Sequence, residues 1–162
     1  MSSFTRANAT IAFDREASLV LEKNHWRNIA PFRYYIGEKD SNEWIDVPAG
    51  ILSDGATVPF PVNALIPAWG SYGQAVLLHD YLCNTYVKKT VVNGAIVVVK
   101  IDRAEIDRIL SEAMQVLKVE EWRRLAIMTG VNGYRLLTRP SAPRRNPARI
   151  RLEANFDPNA YT

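Results

Sequence analysis

Two polar residues stand side by side at the end of an apolar run, His79 and Asp80 in "QAVLLHDYLC" (residues 74–83). If this run is a helix, His79 shares a face with Ala75, Val76, Leu82 and Cys83, while Asp80 is turned about 100° away. A second helix is expected from Asp102, an N-cap with Glu105 three residues on, to about Lys118. Asp107 sits at the edge of its apolar stripe of Ile106, Leu110, Ala113 and Leu117. An antiparallel return between the helices brings Asp107 within reach of the His79 imidazole. A carboxylate that holds one ring nitrogen leaves the other as a base, so a water activated by His79 is the natural nucleophile. Asp80 could serve as a calcium ligand, with loop carbonyls completing the hard oxygen set. The same constellation has a plainer reading, a buried histidine satisfied by a carboxylate. Ser53, Asp54 and Gly55 form a second polar group upstream, in "VPAGILSDGATVP" (residues 47–59), where Asp-Gly is ordinary turn chemistry. Cys83 reads as a small buried hydrophobe with nothing basic beside it, and His25 in "EKNHWRN" as a surface loop residue.

The elements that must position these residues predict an α+β fold. "TIAF", "SLVLE", "FRYYI" and "EWIDV" are short β-like segments, so residues 1–47 are expected to form a small N-terminal antiparallel sheet. Residues 48–71, with Pro48, Pro59, Pro61 and Pro67, are expected to form a long ordered Pro/Gly loop, since Ile51, Val58, Phe60, Leu65, Ile66 and Trp69 are too apolar for a disordered one. The first helix follows over 72–86. "VKKTVV-NG-AIVVVK" (residues 87–100) is a β-hairpin wing turned by Asn93-Gly94. Two further helices are placed within 102–137, the last with Trp122, Ala126, Thr129 and Gly133 on one face, where small side chains permit a close helix contact. Residues 1–138 thus read as one globular domain with two to three helices, and 139–162 as a basic, proline-rich, extended C-terminal arm that cannot form regular structure.

Composition narrows the function classes. A chain of 162 residues, 48% hydrophobic, has the size and apolar content of one domain with a real core. No run of about 18 apolar residues is present and the N-terminus lacks a signal-peptide core, so neither a transmembrane segment nor export is expected. Cys83 is the only cysteine, which excludes an internal disulfide and a cysteine-based zinc cluster. The net charge of +3 hides an uneven distribution: Arg123 to Arg151 holds eight arginines and no acidic residue, leaving about −5 for the rest. Arg139, Arg144, Arg145, Arg149 and Arg151 are therefore candidates for docking on a protein partner. Nucleic acid is the less favoured partner, because the arginines are not interleaved with aromatic stacking residues.

Together, "VPAGILSDGATVPFP", "YGQAVLLHDYLC", "IDRAEIDRILSEAM" and "EEWRRLAIMTGVNGY" resemble an uncharacterised phage and prophage family, a domain of unknown function (family 1353), over roughly residues 44 to 134. The resemblance implies a phage-encoded protein from among genes for virion or lysis functions, and brings no established activity. A weaker resemblance, in the order His-Asp, β-wing and helix with a central Asp, is to the phospholipase A2 core. It implies His79 as base, Asp107 as its orienter and Asp80 as a calcium ligand. Cys83 departs from that pattern, which has tyrosine there, and "PAWGSYG", with Gly70 and Gly73, is the nearest approach to a calcium loop. The leading expectation is a virion-associated tail, baseplate or late-region structural protein in an oligomeric assembly. There the His/Asp cluster braces the loop and the basic arm docks on other phage structural proteins, in the virion or in the host cytoplasm during assembly. The alternative is a phage hydrolase, phospholipase A2-like or cleaving a cell-envelope ester or amide.

Overall fold

The computed structural model describes residues 3–6, 10–56, 66–143 and 146–161. The strands are β1 (Ser3–Phe4), β2 (Ile11–Phe13), β3 (Trp26–Asn28), β4 (Phe32–Tyr35), β5 (Glu43–Val47), β6 (Leu52–Ser53), β7 (Val87–Val92) and β8 (Ala95–Lys100). The helices are α1 (Arg15–Val20), α2 (Gly73–Thr85), α3 (Arg103–Val116), α4 (Glu121–Thr138) and α5 (Pro147–Ala154). The fold is α+β with antiparallel sheets, as the segment pattern predicts. In the hairpin, Asn93 and Gly94 take φ of 52° and 79°, the left-handed pair that suits a tight two-residue turn.

The hairpin is not a separate wing. Strand β7 pairs with β5, Glu43 opposite Thr90 and Trp44 opposite Lys89, which extends one sheet to the order β1-β4-β5-β7-β8. The other N-terminal strands form a second sheet, β2-β3-β6, so the first 47 residues are divided between two sheets. Long-range pairing of this kind leaves no local trace in a sequence. The expected strand "SLVLE" is instead largely α1, because the Asp14 side chain accepts the Ala17 N–H at 2.8 Å and caps a helical turn.

Helix α2 is buried almost all round from Gly73 to His79. It packs against α3, whose Ile106, Ile109, Leu110, Ala113 and Met114 are fully enclosed. The close-contact face expected on α4 lies elsewhere: Ile127 is its buried residue, and Trp122 and Thr129 are exposed. The C-terminal arm is not extended throughout, because α5 forms within it. Pro147 sits where a missing N–H costs nothing and φ is already helical, while Asn146 caps Ala148 N at 3.0 Å. This helix is tied down from below. Buried Arg27 donates to the Asp14 carboxylate at 2.6 Å, to Gly50 O at 2.9 Å and to Leu152 O at 3.0 Å. Glu153 Oε1 accepts the Leu52 N–H at 2.9 Å, and Leu152 joins Ala17 and Leu52 in a small second core.

Candidate functional site

Asp107 is carried to His79 by the return from α2 through the hairpin into α3. The His79 Nε2–H donates to Asp107 Oδ1 at 2.8 Å, which places the ring proton on Nε2 in the neutral tautomer. The same oxygen accepts from Arg103 Nε at 2.9 Å, one turn back on α3, and Arg135 Nε of α4 lies 3.6 Å from Oδ2. The carboxylate is 2% exposed, so three cationic groups converge on a single buried anion. Cys83 Sγ lies 3.8 Å from both ring nitrogens of His79, and that equidistance sets the sulfur off the line of either nitrogen's hydrogen bond. Contrary to the expectation of nothing basic beside Cys83, an imidazole is packed against it, with an arginine close by.

Burial works against a charged imidazole at His79, yet its interaction with the Cys83 sulfur, the Asp107 hydrogen bond and the Asp80 carboxylate outweigh it and raise its pKa to about 9. His79 is thus an imidazolium at neutral pH, a proton donor and not the free base expected of it.

Asp80 points away from Asp107, as the helical rotation predicts, and reaches the chain after β6. Ser53 Oγ donates to Asp80 Oδ2 and itself accepts the Gly55 N–H at 3.1 Å. The Asp80 pKa is raised, first by burial and then by the nearby negative charge of Asp54; Arg149, Ser53 and His79 oppose this without cancelling it. Asp54 is paired with Lys23. Gly55 has φ of +78°, and a Cβ there would lie 2.6 Å from the Ala68 carbonyl oxygen, so this turn excludes any side chain. Ala56 N–H donates to that carbonyl at 2.9 Å, which pins the turn to the segment before α2.

These groups surround a cavity of about 350 Å³. His79, Asp80 and Cys83 of α2 line it together with Asp54, Arg103 of α3, Tyr134 of α4 and Arg149 of α5. His25 lines it too, contrary to the surface position expected of it: it is 7% exposed and its Nδ1–H donates to Lys23 O at 2.6 Å. Lys23, His25, Arg103, Tyr134 and Arg149 are members that sequence reasoning did not place here. Arg149 had a different expected role, outward docking, but it donates to Glu153 Oε1 at 3.0 Å and to Leu52 O and faces the cavity. Arg139 and Arg151 are exposed, and Arg144 and Arg145 lie outside the described residues.

The calcium set implied by the phospholipase resemblance does not fit. Asp80 is engaged by Ser53 with Arg149 beside it, and the Gly70 carbonyl accepts its own turn's Gly73 N–H at 2.9 Å. Among the described residues no group of three or more His, Cys, Asp or Glu side chains could hold a metal ion.

The stretches that build the cavity wall agree with a known family pattern: the family described as a protein of unknown function (DUF1353) matches residues 26–131. The chain belongs to this family. The DUF1353 region runs from β3 into α4 and so contains Ser53, Asp54, His79, Asp80 and Asp107, while Arg149 and the rest of α5 lie beyond it. No curated protein and no solved structure matches the chain. No helix among the described residues is long and apolar enough to cross a membrane.

Proposed function

We propose that this chain is a hydrolase of ester or amide bonds, with the cavity between α2, α3 and the Asp54 turn as its active site. The observation that carries the reading is convergence. Polar residues from separated stretches, Asp54, His79 with Asp80, and Arg103, line one cavity, and Asp107, buried behind the wall, holds the His79 ring. Two neighbouring groups there have opposite tasks set by their surroundings: His79 holds its proton at neutral pH, and Asp80, raised by burial and Asp54, is a stronger base than an ordinary carboxylate. Asp80 takes a proton from water as the water oxygen attacks the acyl carbon. The carbon–oxygen or carbon–nitrogen bond then breaks, and the leaving group takes the His79 proton. Asp107 positions the imidazole, and Arg103 is placed to receive negative charge developing on the acyl oxygen. Phage origin, which the sequence motifs imply, makes a lipid or cell-envelope acyl bond the substrate class to test. The roles differ from those in phospholipase A2, since no step passes through calcium.

The test is a pH profile of kcat/KM on a panel of acyl esters and amides. Activity is expected to fall through about pH 9 as His79 loses its proton. Activity that rises through the same range means that His79 acts as the base and contradicts these roles.

A second reading is favoured by the Ser53–Asp80 and Gly55–Ser53 hydrogen bonds: the cluster braces the turn of a virion structural component. The inward use of Arg149 takes one arginine away from the docking arm that this reading relies on.

A further inference from the structure

Helix α4 has two apolar faces. One carries Ile127 toward the core. On the opposite side Leu125 is 68% exposed, Leu136 71% and Trp122 45%. Between them lie Thr129 and Gly133, and a Cβ built on Gly133 would meet no atom within 4 Å. At 100° per residue, Trp122, Leu125, Thr129, Gly133 and Leu136 fall within one arc of about 80°. Their small members suit a close helix contact, and the fold turns this face outward.

We propose that this stripe is an interface between two copies of the chain, packed as an antiparallel α4–α4 pair about a two-fold axis at Thr129. The stripe complements itself in that register. Rotation about Thr129 sets Trp122 over the second copy's Leu136, and Leu125 over the second copy's Gly133, a side chain facing an empty position. Charge agrees with shape. Glu121 and Arg139 lie on the same flank of the stripe, and in an antiparallel pair like flanks meet, so each Glu121 faces the other copy's Arg139. Neither side chain is in an ion pair among the described residues. In a parallel pair unlike flanks meet, so Glu121 and Arg139 would not face each other and this pairing would be lost. A contact of four helical turns is smaller than a standard interface of about 1,600 Å², so a dissociation constant on the order of tens of micromolar is expected.

Sedimentation of the full chain between about 1 and 300 µM should show a monomer–dimer equilibrium across that range. Leu125→Glu, at an exposed position, and Gly133→Leu, where a side chain meets no atom within 4 Å, should return it to monomer without lowering the melting temperature. Register is read by oxidation in a Cys83→Ser background. Thr129→Cys should cross-link to itself. Trp122→Cys should not, but should cross-link to Leu136→Cys when the two proteins are mixed. A wild-type chain that stays monomeric, or Trp122→Cys cross-linking to itself, overturns the proposal. So does a dimer that survives Leu125→Glu and is dispersed by Val97→Lys, which would place the interface on the exposed apolar edge of β8.

Discussion

His79 holds a charge in a place that burial alone would keep neutral, and the consequence can be measured without any substrate. Its folded pKa of about 9 lies above the ordinary 6.5, so the folded state holds the proton more tightly. The stabilisation is fully present below about pH 6.5 and is lost as pH rises through about 9. Wild-type protein should lose on the order of 3 kcal/mol across that window, and His79→Gln should show a flatter profile. Thermal unfolding from pH 6 to 10 on both proteins checks this, and parallel curves would show that His79 is not the group responsible. At this scale the sequence was most informative where helical spacing governs. Rotation about α2 separates His79 from Asp80, and the hairpin signal supplies the return to Asp107. For His25 and Arg149 the cavity they line is built from other elements, and nothing in a local window announces a contact such as Arg149 with Leu52, 97 positions away; the basic neighbour of Cys83, by contrast, is His79, one turn back on the same helix.

Among the elements, α5 decides how much of the molecule the C-terminal stretch belongs to. Prolines made that stretch look irregular, but proline at the first helical position begins a helix. Leu152 then completes a small core with Ala17 and Leu52, and Arg27 spans Asp14, Gly50 and Leu152. Leu152→Ala should cost about 2–3 kcal/mol, near the low end for a buried leucine because the site lies at the protein's edge. Deletion from Pro140 onward should cost at least as much, since it also strips Arg27 of a carbonyl partner and the Leu52 N–H of Glu153. Urea unfolding measures both, and a truncated chain of wild-type stability would show that α5 only rests on the surface. The strands were legible where β-branched and aromatic residues cluster, but their division between two sheets was not, because pairing partners such as Glu43 and Thr90 are set by the whole fold.

At the scale of the molecule, the three sequence stretches that stand out in the chain meet at one place. The family match covers that place and stops short of α5, so the cavity has a wall within the family region and a further wall, bearing Arg149, outside it. A catalytic cleft and a braced turn both gather polar residues, and they differ in what the Asp80 carboxylate does for the fold. A catalytic base of raised pKa is kept at a cost to stability, because its charge is opposed by burial and by Asp54. The decisive measurement is therefore Asp80→Asn, assayed at neutral pH for melting temperature and for hydrolysis of acyl substrates. With Asp80 as the catalytic base, the variant is more stable and inactive. A less stable protein whose hydrolysis matches wild type would contradict that role and leave Asp80 as a brace.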